Sequence, residues 1–337
     1  MFRAAPRNLI TDVSGLSVGH ATDHRVRSGV TAILCGAAWS AGVDVRGGGP
    51  GTRESEALAP ENLVGRAHAV VLAGGSVFGL AAADGVAAVL SVKGVGLQLR
   101  PGSPAIPIVP SAVLHDLGNG GDKNWGASPP YRDLGVRALE TAGVDFALGS
   151  VGAGCGAMAG LIKGGVGSAS LNLNDGLIVG ALVAVNSVGS ALMPDGKTYW
   201  AWPFELEREF GGCGPPPHAM DVSDPSPDES RLTELGRLQG GANTTLGVIA
   251  CNADLSTVEC KRVAMMAQDG IARAVRPAHT PFDGDTIFAL ASGAVRVPVE
   301  GRAAQIGRIG SAAADCLARA IARAVHFSHR SDEIRAP

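Results

Sequence analysis

The chain has 337 residues, 46% of them hydrophobic and 18% charged, with 48 glycines, only 4% aromatics and a formal net charge of −3. That length suits one large domain or two ordinary ones, and the composition supports a packed core and excludes extended disorder. The small net charge leaves no electrostatic footprint for nucleic acid or for an anionic membrane surface.

Met1 to Asp12 lacks the apolar stretch of a signal peptide. Val30–Cys35 and His68–Ala73 read as short buried strands, and Gly74-Gly75-Ser76 turns into a helix from Val77 to Leu90. A second helix is predicted from Tyr131 to Thr141, with Pro129-Pro130 at its start. Ala169–Leu173 and Leu177–Val185 read as a hairpin joined through Asn174-Asp175-Gly176. Gly176–Val185 is the longest apolar run and is too short to span a bilayer. Met193 to Gly241, rich in proline and charge, reads as a long loop with a short helix over Ser230–Leu238. A buried strand follows from Thr244 to Cys251. Ser256 caps a helix that runs to Val275, with Glu259 completing a capping box. Thr286–Ala291 is a further strand and Ala303–Phe327 a long helix. No internal repeat is visible. The six cysteines (Cys35, Cys155, Cys213, Cys251, Cys260, Cys316) form no Cys-x-x-Cys pair and read as reduced thiols of a cytoplasmic protein. Strands interleaved with long helices indicate sheets covered by helices, an α/β layered fold.

The most informative sequence is Asn243-Thr244-Thr245-Leu246-Gly247-Val248, followed about forty residues later by Asp283-Gly284-Asp285. An internal threonine is a poor nucleophile. As the first residue of a chain it becomes a good one, because its own α-amine can take the hydroxyl proton. The pattern therefore reads as a precursor that cleaves itself between Asn243 and Thr244, giving fragments 1–243 and 244–337, and then hydrolyses amides. The new amine, with an ordinary pKa of about 7.7–8.0, is substantially neutral near pH 7 and fit to act as a general base.

Asp283 and Asp285, two apart, point to one side of an extended segment. Three readings fit them: carboxylates that orient the new amine and the hydroxyl, a polar turn, or a divalent-metal site. Lys163 lies in an otherwise uncharged stretch, Gly160–Gly165. It fits a cation that polarises a carbonyl and equally a surface lysine. Asn186, at the end of an apolar strand, fits an oxyanion donor or a simple strand cap. Gly154 to Gly164 lacks the Gly-Lys-Ser/Thr of a phosphate loop, and Gly47 to Gly51 reads as a plain loop. Gly75 to Gly79 is not a Gly-x-Ser-x-Gly elbow, although its helix start suits an anion. His20 and His24 sit four apart among glycines, without helical context for a metal pair.

Several segments in order resemble one family. They are Asn8–Val13 with Val18-Gly19-His20, Arg46–Glu54, Gly74–Leu80, Gly152–Gly156 and Asn243-Thr244-Thr245. Together they resemble the L-aminopeptidase/D-esterases and β-aminopeptidases, a family that includes the nylon-oligomer (aminohexanoate-oligomer) hydrolases. Threonine after asparagine, with aspartate at both acidic positions, is most similar to the nylon-oligomer branch. The resemblance implies a single αββα sandwich, processed into an α subunit (1–243) and a β subunit (244–337), with homo-oligomers of those pairs. It implies no metal or organic cofactor, and a peptide or aliphatic amide substrate. It also implies Thr244 as nucleophile, Asp283 and Asp285 as its support, Lys163 and Asn186 lining the site, and Trp125 or Tyr131 as an aromatic wall of the pocket. Two other functions stay open on sequence alone: an acyltransferase using the same threonine, and a non-catalytic binding protein on the same fold.

Overall fold

The computed structural model describes residues 3–225, 227–232 and 243–333. The helix expected over Ser230–Leu238 falls largely outside them. The strands are β1 (Leu16–Asp23), β2 (Ser28–Val45), β3 (Thr52–Arg53), β4 (Arg66–Ala73), β5 (Ser111–Val113), β6 (Met158–Ala159), β7 (Ile162–Lys163), β8 (Gly165–Asn172), β9 (Ile178–Asn186), β10 (Thr244–Ala253) and β11 (Thr286–Val295). The helices are α1 (Ala81–Val92), α2 (Tyr131–Glu140), α3 (Thr257–Ala274) and α4 (Arg302–Glu333). No described helix is long and apolar enough to cross a membrane, and all six cysteines are free thiols.

Nine strands form one hydrogen-bonded sheet in the order β3-β5-β4-β2-β11-β10-β9-β8, with β1 added on β2. The hinge of this arrangement is β2, 18 residues long. Its first half, Val30–Leu34, pairs with β1 and β4, and its second half, Ser40–Val45, pairs with β11. A register irregularity between Leu34 and Trp39 separates the halves, as expected where a bulge bends a strand.

Three apolar clusters define the layers. Ala69, Val71 and Ala73 of β4 pack on Val86 and Leu90 of α1 and Leu134 of α2. Val179 and Val183 of β9 and Ile249 of β10 pack on Val263 and Ile271 of α3 and Leu317 and Ile321 of α4. Between them lies a cluster that joins Ile33, Val70 and Leu72 to Leu182, Leu246, Val248 and Phe288. The order is helices, sheet, sheet, helices, with the two inner layers continuous through β2 rather than separate sheets. Strand β10 shows the alternation that this requires. Leu246, Val248 and Ala250 enter the middle cluster, and Ile249, Cys251 and Ala253 enter the helix-facing one.

The strand and helix centres read from sequence lie where expected. The capping box at Ser256/Glu259 opens α3. The Asp175-Gly176 hairpin joins β8 to β9, with Asn174 and Gly176 at positive φ. The proline-rich stretch after Met193 is held to α4 through the buried Glu209, which also lies 3.7 Å from Arg323. Arg319 of α4, 1% exposed, meets Glu209, 6% exposed, at 2.5 Å. Arg319 also donates to Asn8 and to the Ser170 carbonyl. Removing one member of such a pair strands the other charge away from water. Arg319→Ala is therefore expected to lower unfolding free energy by about 3–5 kcal/mol in urea denaturation.

Candidate active site

The site forms where three neighbouring segments start or end together. Thr244, the first residue of β10, pairs directly with Asn186, the last of β9. On the other side β10 runs parallel to β11, and Asn243 bridges Asp283 just before that ladder begins. The β-branched Thr244-Thr245 pair suits a strand start, and the apolar residues after it bury on both faces. Side-chain alternation puts Thr244 and Asn186 on the face between the two sheet layers.

The Thr244 hydroxyl donates to the carbonyl oxygen of Asn243. The same oxygen accepts the Gly284 N–H at 2.9 Å. Asp285 accepts the Thr245 N–H on Oδ1 at 2.7 Å, and its Oδ2 lies 2.7 Å from His279 Nδ1. Asp283 accepts the Val188 N–H at 3.2 Å on Oδ1. Its Oδ2 takes the Thr280 N–H at 2.8 Å and the Thr280 hydroxyl at 2.6 Å. Asp285 thus grips the backbone just after Thr244, and Asp283 ties the segment after Asn186 to its own turn at Thr280. Arg46 to Gly49 fasten this segment from outside, with Arg46 N–H on the Asp285 carbonyl at 2.7 Å and Gly49 N–H on the Asp283 carbonyl at 2.9 Å. Gly47, at φ +87°, allows that approach: a methyl there would lie 2.4 Å from the Asp283 carbonyl oxygen. A methyl on Gly284 would lie 2.6 Å from the Gly49 carbonyl oxygen and 2.9 Å from the Thr244 hydroxyl.

Both carboxylates are 1% exposed. Burial first, and the charge of Asp285 second, push the Asp283 carboxyl up to about 6, against the hydrogen bonds from Thr280 and Val188. Burial pulls His279 down, but the hydrogen bond and charge of Asp285, joined by Asp283, outweigh it and raise the imidazole above its ordinary value. A protonated His279 would offset part of the negative charge gathered beside Thr244.

Among the other expected residues, Asn186 is placed at the centre. Its Oδ1 accepts the Met158 N–H at 2.9 Å and its Nδ2 donates to the His115 carbonyl at 3.1 Å. Lys163 faces Met158 across the β6–β7 hairpin and lines a 440 Å³ cavity on this side of Asn186. The aromatic pair needs correcting. Tyr131 is fully buried in the α1–α2 core, its hydroxyl donating to Ser28 at 3.1 Å. Trp125 stacks edge-on against Tyr131 and Phe78. Neither is among the residues that line the cavity: Tyr131 is packed in the core, and Trp125 lies against Phe78. Among the described residues no group of three His, Cys, Asp or Glu side chains is placed to hold a metal ion. His20 is tied to Thr31 and to the Ala147 carbonyl, a structural role.

His279 is the residue that sequence reasoning misses. It belongs to no spaced histidine pattern and sits at φ +55° in an irregular turn. The available signal is its place six residues before Asp285, between Pro277 and Pro281.

The helix–sheet–sheet–helix layering is similar to the Ntn hydrolase fold. The β-aminopeptidase of a Burkholderia species superposes with a TM-score of 0.67 at 23% identity, covering 96% of this chain and 88% of that one. The L-aminopeptidase D-Ala-esterase/amidase of Ochrobactrum anthropi, described as a variant of the Ntn hydrolase fold, superposes with a TM-score of 0.65 at 21% identity, covering 95% and 86%. Residues 8–334 match peptidase family S58, and the chain belongs to that family. An uncharacterized aminopeptidase of Mycobacterium tuberculosis is 44% identical over 334 residues, 93% of this chain and 92% of the relative. The 6-aminohexanoate-oligomer endohydrolase of a Kocuria species is 30% identical over 294 residues, 85% and 76% of the two chains. The protein is accordingly an amide hydrolase of the peptidase class.

The buried acids make stability depend on pH. Between pH 3.8 and about 6 the folded Asp283 holds a proton that the unfolded carboxyl releases, so unfolding free energy should fall as pH rises through that window. The His279 contribution is fully present below its ordinary value of 6.5 and is lost as pH rises through its raised folded value. Urea titrations across pH should show both, and Asp283→Asn should flatten the lower window. Gly284→Ala should cost about 1–3 kcal/mol in the same assay, through the methyl's collision with Gly49 and Thr244.

Proposed function

We propose that the chain cleaves its own Asn243–Thr244 bond and then uses Thr244 as the nucleophile of an amide hydrolase acting on short peptides or aliphatic amide oligomers. The observation that carries this reading is the Thr244 hydroxyl lying on the carbonyl of the bond to be cut. In the first step the hydroxyl oxygen attacks the Asn243 carbonyl carbon. The Gly284 N–H, already on that oxygen, stabilises the negative charge that develops there. The C–N bond breaks, the hydroxyl proton ends on the departing Thr244 nitrogen, and an ester joins Asn243 to Thr244. Water hydrolyses the ester to a carboxylate on Asn243 and frees the Thr244 hydroxyl, beside the α-amine released in the first step.

In turnover the α-amine takes the hydroxyl proton as Thr244 attacks a substrate amide, and it returns the proton to the leaving amine. Water then releases the acyl group. Asp285, holding the Thr245 N–H, fixes the height of the amine, and Asp283 supplies a second carboxylate beside it. Asn186, opposite Thr244, and Lys163, in the adjoining cavity, complete the lining. The mycobacterial relatives named as aminopeptidases and the oligomer endohydrolases, all amide-cleaving by name, support the substrate class. Fragments 1–243 and 244–337 would stay joined, because β10 is laddered to β9 and β11 to β2 across the cut, and α3 and α4 share a core with Val179 and Val183 of β9.

Purified Thr244→Ala should remain one chain and hydrolyse no amide, and Thr244→Ser should retain part of both activities. Asp285→Asn should lower turnover by about 10²–10⁴-fold. An uncut Thr244→Ala protein with full amidase activity would overturn the reading.

A further inference from the structure

His279 is a titratable side chain that the steps above leave unused. It stands at the end of a short relay. Its Nδ1 lies 2.7 Å from Asp285 Oδ2, and Asp285 Oδ1 accepts the Thr245 N–H at 2.7 Å. The carboxylate side chain is 1% exposed and the imidazole 24%, so the ring is the more solvent-accessible end of the relay. Against an ionised Asp285, Nδ1 is the nitrogen that carries the proton. The backbone does not call for histidine here. At φ +55° the residue is left-handed, a conformation that a β-carbon makes costly and that glycine or asparagine adopts more easily. What histidine supplies is the bond to Asp285. The charges facing the ring are Asp285 and Asp283 from its own turn and Arg46 from just after β2, itself paired with Asp44 at 2.8 Å. Arg276, three residues earlier, is turned to the Val222 and Asp224 carbonyls. Burial pulls the imidazole down and the two acids raise it by more, which favours an imidazolium–carboxylate pair.

We propose that His279 is a positioning residue: it clamps Asp285 on the Thr245 N–H and, as an imidazolium, offsets that carboxylate's charge one residue from the Thr244 α-amine. The inference rests on the proposed function, which is the source of the free amine. An amine beside an uncompensated carboxylate holds its proton more tightly and is a poorer base at neutral pH. With the His279–Asp285 pair neutral as a whole, the amine sheds its proton closer to the ordinary value of about 7.7–8.0. No proton passes between His279 and the substrate, because the imidazole acts only through Asp285.

The test titrates the Thr244 α-amine of the processed protein by NMR, with isotope-labelled threonine, in wild type, His279→Asn and His279→Ala. Asparagine keeps a donor and suits the left-handed backbone but carries no charge. Both variants should raise the amine midpoint by about one pH unit, the scale of one charge acting across a partly solvated site. On alanine p-nitroanilide the acid limb of kcat/KM should move with it, and His279→Asn should keep more of kcat than His279→Ala, because it still holds Asp285. A merely structural role would lower stability and move neither midpoint nor limb, and an unchanged amine midpoint in both variants would overturn the inference. Wild type offers a check that needs no variant. Its amine signal should show a second step at the midpoint of the His279 imidazole, and a single step would overturn the inference. A wild-type chain without a free Thr244 amine would defeat the proposed function itself and this inference with it, whereas a processed chain with an unmoved midpoint defeats this inference alone.

Discussion

One main-chain contact organises the site: the Asn243 carbonyl accepting the Gly284 N–H. It locks the residue before β10 to the residue between two aspartates, and the parallel β10–β11 ladder continues from it. Asn186 reaches the same level because β9 and β10 pair with Thr244 opposite it. The Arg46–Gly49 loop then closes over the back of the aspartates. A side chain at Gly284 would break this stack, which is why glycine stands between the two acids. The Asn243 carbonyl is thus gripped by a fixed donor while the Thr244 hydroxyl also rests on it.

The acids make this end of the fold costly to bury. Two carboxylates without exposure repel one another, and each needs donors to remain in the core. Asp283 draws on Val188 and Thr280, and Asp285 on Thr245 and His279. Val188 and Thr245 reach the acids from segments distant in sequence, whereas Thr280 and His279 belong to the turn just before them. A group whose charge is contested by its surroundings is what a proton-moving site requires. The same crowding explains why stability should decline as Asp283 ionises.

The candidate site's central segments are legible in sequence because each is local. Asn243-Thr244 opens an apolar β-branched run, and Asp283-Gly284-Asp285 is a compact signature. The β8–β9 hairpin and α3 are legible from an Asp-Gly turn and a capping box. Only the first part of β2 is legible, since Gly36 onward is rich in small residues and lacks strict alternation. Its second half is a strand because β11, distant in sequence, pairs with it. His279 escapes for a similar reason: its partner is fixed by a left-handed turn that no periodicity announces. Tyr131 is misplaced because an isolated aromatic reads alike for a pocket and a core, and only the packing of α2 on α1 decides.

If the hydroxyl poised on the Asn243 carbonyl belongs to a bond the protein cuts, the products must appear in the purified protein. The direct measurement is the denatured intact mass of the wild-type protein, with N-terminal sequencing of whatever it contains. Two species are predicted, one of them beginning at Thr244. A single uncut chain of 34.0 kDa that nevertheless hydrolyses amides, or a new terminus at any other residue, would contradict self-cleavage at this bond.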